Sequence, residues 1–110
     1  MSRPYDPYIP ETIGELIDQL GSMMLSSPTF VDRLGDFPRT IDSEFFVLKK
    51  GLMAVRKKIG EERYAQCVEM ADRMRAHFEA DPHDKTDDSL AGRQLIVDMQ
   101  ALLRGKPPPR

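Results

Sequence analysis

The chain has 110 residues, of which 40% are hydrophobic and 31% are charged, with a formal net charge of −2. These values are typical of one globular domain with a modest core, and they exclude a strongly basic protein that coats nucleic acid. The chain lacks an apolar run of roughly 18 residues, the length that spans a membrane, and it lacks a signal-peptide pattern. Cys67 is its single cysteine. We therefore expect a cytoplasmic protein with no membrane anchor and no internal disulfide.

The first third of the chain predicts an arm, a helix and a short helix. Prolines recur in residues 1–9, which favours an extended arm. A helix is predicted over 10–25, with the proline at its first position and apolar residues three and four positions apart. Ser27 and Pro28 suit the cap and first position of a short helix over 29–34.

The middle of the chain, residues 41–80, predicts two amphipathic helices joined at Gly60. Thr40 suits the cap of the first helix, and Gly60 suits a left-handed position at its end. The apolar positions recur at intervals of four and three: Ile41, Phe45, Leu48, Leu52, Val55 and Ile59, then Tyr64, Cys67, Ala71, Met74 and Phe78. Because two helices cannot cover both apolar faces, other segments must pack against this hairpin.

The last third of the chain predicts a polar connector over 81–88 and one more helix. Asp87 or Thr86 caps this helix, and Gly105 ends it. Its predicted core residues are Leu90, Leu95, Ile96, Met99, Leu102 and Leu103.

The predicted fold class is all-α. We expect a small bundle of about four main helices built on the central helical hairpin, plus one short helix. Residues 10–105 then form a single helical domain, between the arm at 1–9 and a disordered tail at 106–110.

The acidic connector resembles a cation-binding loop in composition only. It lacks the aspartate, glycine and glutamate spacing of an EF-hand, and its acidic residues also suit a helix start. His77 and His83 are six positions apart, which does not place two imidazoles on one side of a helix. We predict no metal, no cofactor and no catalytic site, although a small enzyme with a dispersed site among Asp81, His83, Asp84 and His77 is a further hypothesis.

Charge is distributed unevenly between the two central helices. Residues 41–60 hold five basic and two acidic groups, and residues 61–88 hold four basic and nine acidic groups. Two pairs of cations, each seven positions apart, form a basic stripe opposite the apolar face: Lys49 with Arg56 and Lys50 with Lys57. This stripe is interpreted as a solvated face balanced by the acidic helix, as a docking face for an acidic protein, or as a contact with phosphates.

A second apolar group lies beside the stripe. Phe46, Val47 and Met53 are off the main apolar face of their helix, with Phe46 and Met53 seven positions apart. Such a group either packs against a third helix or forms a surface for a partner.

Together these features predict a non-enzymatic small helical protein that acts through protein–protein interaction. Its role is accessory, inhibitory or regulatory, and its partner is another protein or a second copy in a homodimer. The predicted partner-binding residues are Phe46, Lys49, Lys50, Met53, Arg56 and Lys57. The alternative is a nucleic-acid-binding regulator that uses the basic stripe Lys49–Lys58, although the acidic net charge makes nucleic acid the weaker candidate.

Overall fold

Four α-helices surround one core in the computed structural model, which describes residues 9–30 and 40–105. The helices are α1 (Ile13–Ser26), α2 (Ile41–Ile59), α3 (Glu61–Ala80) and α4 (Asp87–Leu103). Each helix packs against the next along the chain, and α1 also packs against α4, which closes the bundle. The predicted all-α class is confirmed. Three predicted elements lie outside the described residues: the arm apart from residue 9, the short helix from residue 31 onwards, and the tail.

The first helix begins later than the sequence pattern predicts. Thr12 Oγ1 accepts a hydrogen bond from the Glu15 N–H at 3.1 Å, and the Glu15 carboxylate accepts from the Thr12 N–H at 3.2 Å. This reciprocal capping box satisfies backbone N–H groups that have no partner within the helix. Pro10 therefore lies before the cap, and the prediction that it is the first helical residue is wrong.

The N-terminal caps of α2 and α4 agree with the sequence. Thr40 caps α2 by accepting from the Ser43 N–H at 3.1 Å, as predicted. Of the two candidates for α4, Thr86 is the cap, since its hydroxyl accepts from the Asp88 N–H at 3.1 Å.

Residues 27–30, which follow α1, form a turn. The prediction that a helix begins at Pro28 is therefore wrong. Phe30 has a φ of 62°, which lies outside the right-handed helical region. Its ring is wholly buried and packs edge-on against Phe45 and Phe78, with centroid distances of 5.8 and 5.3 Å. The turn thus contributes an aromatic side chain to the middle of the core.

The core is formed by the apolar faces that the residue spacing predicts, with one exception in α4. The predicted positions of α2 and α3 are all buried or packed against the core. Leu90, however, is 61% exposed. The buried side of α4 includes Gly92, and two positions along a helix point in nearly opposite directions, so Leu90 faces away from the core.

Gly60 alone separates α2 from α3. Its φ of 90° is positive, as predicted, but its ψ of 159° is extended and lies outside the left-handed helical region. α3 packs more extensively against α4 than against α2. The view of the α2–α3 pair as the centre of the bundle therefore stays a prediction.

Candidate functional site

The six residues predicted to bind a partner all lie on the exposed side of α2. Phe46 and Met53 are 52% and 54% exposed, and they lie seven positions apart on the same side of the helix. Phe46, Lys50, Met53 and Lys57 follow one another at intervals of four, three and four positions. They therefore form a continuous line along the helix, which we call the outer strip.

The cations of the basic stripe fall into two groups. Lys49 and Arg56 face α3 and are ion-paired: Lys49 Nζ lies 2.6 Å from Asp72 Oδ1, and Arg56 contacts both carboxylate oxygens of Glu61 at 2.8 and 2.6 Å. The hydrogen bond with Glu61 raises the pKa of Arg56, and the same bond lowers the pKa of Glu61. This pair therefore stays charged, and each charge is largely compensated by the other.

Lys50 and Lys57 have no acidic partner among residues 9–30 and 40–105. Instead, Lys50 Nζ lies 5.6 Å from the centroid of the Phe46 ring, within the range of a cation–π contact. The outer strip therefore combines two exposed apolar side chains with two uncompensated positive charges.

An open groove of about 330 Å³ lies beside the outer strip, towards α3. Four of the predicted residues line it. Among the described residues, the lining is formed by Asp42, Phe45, Phe46, Lys49, Lys50, Met53 and Arg75. Arg75 is fixed by ion pairs with Asp42 and Glu79, and its guanidinium lies 5.9 Å from the centroid of the Phe45 ring. The sequence did not indicate Asp42 or Arg75, because their approach depends on how α2 and α3 pack.

The second apolar group of α2 is divided between the interior and the surface. Val47 is only 3% exposed, whereas Phe46 and Met53 are exposed. Val47 therefore follows the first alternative, packing against another helix, and the partner surface stays a prediction for Phe46 and Met53. Val47 is about 100° around the helix from Phe46. It shares the side of Glu44 and Gly51, which face α1.

The acidic connector is held together by its own hydrogen bonds. Asp81 is buried, and its carboxylate accepts from the backbone N–H groups of Lys85, Thr86 and Ser89 at 2.8, 3.0 and 3.3 Å. Burial acts to raise the pKa of Asp81, but the hydrogen bonds from Lys85, Ser89 and Thr86 outweigh it and hold this pKa well below its ordinary value. Asp81 thus fixes the start of α4.

Asp84 and Asp88 of the connector also have separate partners. His77 Nδ1 lies 2.8 Å from Asp88 Oδ1, and Asp84 forms a two-point ion pair with Arg93 at 2.9 and 3.3 Å. Arg93 Nε also donates to Ser27 Oγ at 2.9 Å, which ties the turn after α1 to α4. Within the described parts of the chain, no three His, Cys, Asp or Glu residues are placed to hold a metal ion.

Two further surface features were not predicted from the sequence. Leu25, Leu90 and Val97 are exposed, and the last two lie seven positions apart on α4. A second groove, of about 300 Å³, lies between α3 and α4 and is lined by Gln66, Glu69, Met70, Arg73, Leu95, Asp98 and Leu102. Its lining has charges of both signs, as that of the first groove does, whereas the charged residues of the outer strip are both lysines.

Comparison of the chain with models of known protein families, with curated proteins and with solved structures found no match in any of the three. None of the helices in the described residues is long and apolar enough to cross a membrane.

Proposed function

We propose that this protein is a non-enzymatic binding protein of the cytoplasm, which recognises another protein through the outer strip of α2 and the adjacent groove. The observation that carries the proposal is the alternation of exposed Phe46 and Met53 with two lysines along one line. Neither lysine pairs with a carboxylate in the part of the chain that the structure describes. An exposed aromatic and a methionine beside a groove are typical anchors of a protein interface, because they bury a large apolar area at few positions. The role is accessory, inhibitory or regulatory.

The geometry favours a protein over a nucleic acid as the partner. Lys49 and Arg56 of the Lys49–Lys58 stripe are already paired with carboxylates, and these carboxylates would repel a phosphate backbone. In addition, Phe46 and Met53 have no favourable role against phosphates. A protein partner uses both the apolar and the cationic side chains of the outer strip.

The proposal is tested by affinity purification of the tagged protein from its own cells, followed by mass spectrometry. The test variant is Phe46→Ser with Met53→Ser, which removes both apolar anchors. The matched control is Leu90→Ser with Val97→Ser, which changes an exposed apolar pair with the same seven-residue spacing on α4. We expect a protein that is retained in stoichiometric amount by the native chain and the control, and that is lost from the test variant.

Two outcomes would contradict the proposal. If the same proteins are retained by the native chain and both variants, the outer strip is not the binding surface. If nucleic acid is retained instead, and leaves as the salt concentration is raised, the alternative of a nucleic-acid-binding regulator is supported.

A further inference from the structure

We infer that the segment recognised by the outer strip is an acidic amphipathic helix of the partner protein. Its apolar side chains pack against Phe46 and Met53, and its carboxylates pair with Lys50 and Lys57. The inference rests on the proposed function and adds to it the chemistry and conformation of the partner.

The spacing of the outer strip fits a helix. The strip extends over residues 46–57, which is about 17 Å along the helix axis at 1.5 Å per residue. Its two apolar side chains are seven positions apart, and so are its two lysines. A partner helix of about three turns, with apolar residues and carboxylates repeating every seven positions, can contact all four side chains in register.

The position of Lys50 requires the partner to be acidic. Lys50 lies between Phe46 and Met53 along the strip, and its ammonium group is 5.6 Å from the Phe46 ring centroid. A partner that covers both apolar side chains must therefore cover this ammonium group as well. Removing it from water is unfavourable unless the partner supplies a carboxylate, because no acidic residue in the described chain pairs with it.

The same charges argue against a second copy of the chain as the occupant. In a two-fold dimer through this face, the strip of one copy meets the strip of the other. Lys50 and Lys57 of both copies would then bring four ammonium groups together, with no carboxylate within the strip.

The surface also favours a helix over an extended segment. The outer strip and most of the groove lining belong to α2, whose backbone groups are hydrogen-bonded within the helix. It therefore offers no free edge to which an extended strand could add. Recognition must depend on side chains, which a helix presents along one face.

The test uses three synthetic fluorescein-labelled peptides and the full-length chain. The acidic probe is an 18-residue peptide with leucines and glutamates each at seven-residue repeats on one face. The basic probe has lysine at each glutamate position, and the scrambled probe has the acidic composition without the repeat. Binding is followed by fluorescence anisotropy at low and moderate salt.

We expect saturable binding of the acidic probe only, and an affinity that falls with salt because exposed charges are screened. Lys50→Glu with Lys57→Glu should lower the affinity for the acidic probe at least tenfold and allow the basic probe to bind. Lys58→Glu is the control, because Lys58 is exposed on α2 but lies about 100° around the helix from Lys57. It should change the affinity for the acidic probe less than twofold.

Several results would overturn the inference. These are equal binding of the three probes, no saturable binding of the acidic probe at millimolar protein, or a dimer in sedimentation equilibrium that Phe46→Ser with Met53→Ser abolishes. A cellular partner that needs Phe46 and Met53 but tolerates reversal of both lysines would leave the proposed function in place and refute the acidic helix. If Phe46→Ser with Met53→Ser binds the cellular partner and the acidic probe as well as the native chain does, both the proposed function and the acidic helix are refuted.

Discussion

The ring of Phe78 lies directly against the backbone of Gly92, so that a Cβ atom built on Gly92 would be 2.6 Å from Phe78 Cε1. The ring cannot move aside easily, because Phe78 is buried and also packs against Phe30. Gly92 therefore allows α4 to approach α3 closely, beside the point where Asp81 fixes the start of α4. The absence of a side chain at Gly92 is a packing requirement.

We predict that Gly92→Ala lowers the free energy of unfolding by about 1–2 kcal/mol. Alanine gains about 1 kcal/mol in helix propensity, but overpacking against the ring costs more. Gly21→Ala is the matched control, since its nearest neighbour would be Gln100 Nε2 at 3.8 Å, and it should raise stability by up to about 1 kcal/mol. Urea unfolding measures both, and a stabilised Gly92→Ala would show that the ring can shift.

A second glycine prediction concerns the junction of α2 and α3. Gly60 has φ 90° and ψ 159°, a backbone region that is essentially restricted to glycine. Gly60→Ala should therefore lower the free energy of unfolding by about 1–3 kcal/mol, although nothing lies within 4 Å of the added Cβ. Gly60→Asn should be no better than Gly60→Ala. A clear advantage of asparagine would indicate the left-handed helical conformation that the sequence predicted.

The connector makes stability depend on pH through Asp81. Its pKa lies well below the ordinary value in the folded chain and returns to about 3.9 in the unfolded chain. The unfolded chain then takes up a proton at a higher pH than the folded chain. The stabilisation is therefore complete above about pH 5 and is lost as the pH falls through and below about 4. Thermal unfolding between pH 7 and pH 2 should show this loss.

Asp81→Asn tests whether Asp81 causes that dependence. Its amide keeps only one acceptor oxygen for the N–H groups of Lys85, Thr86 and Ser89, so the variant should be less stable at pH 7. Because it has no proton to gain, the difference from the native chain should shrink as the pH falls. A constant difference would assign the pH dependence to other carboxylates, such as Asp84 beside Arg93.

The single cysteine, Cys67, can be used to detect local opening of the folded chain. Burial raises the pKa of Cys67 to about 11, so the reactive thiolate is scarce at pH 8. The side chain is also buried, which keeps reagents away from the sulfur. We expect iodoacetamide to label the folded chain very slowly at pH 8, and the chain in 6 M guanidinium chloride rapidly. Rapid labelling without denaturant would mean that α3 opens locally or that the thiol is exposed.

The sequence predicted the helices and most of the core because burial repeats with the period of the helix. Thr40 was also identifiable, since a cap is a local feature of a few consecutive residues. Which glycines are tightly packed was not predictable, because that depends on the neighbouring helix. A Cβ atom on Gly14 would have Thr12 Oγ1 as a neighbour at 4.0 Å, whereas Gly51 and Gly92 face the side chains of Leu16 and Phe78 at less than 3 Å.

The candidate site was predictable only in part for the same reason. The positions of Phe46 and Lys50 on one exposed line follow from the helical period. The division between paired and unpaired cations does not, because the contact of Lys49 with Asp72 joins residues 23 positions apart on two helices. The inference of an acidic partner depends on that division.

Two adjacent phenylalanines on α2 lie in different environments. Phe45 is 2% exposed and packs edge-on against Phe30, whereas Phe46 is 52% exposed on the outer strip. Phe45→Ala should lower the free energy of unfolding by about 3–5 kcal/mol, because it leaves a cavity in the core. Phe46→Ala should change it by less than about 1 kcal/mol, since the lost contacts are partly offset by the higher helix propensity of alanine. Urea unfolding of both variants, monitored by circular dichroism, decides this. A loss at Phe46 as large as that at Phe45 would make Phe46 a residue of the core and would remove the physical basis for a binding surface on α2.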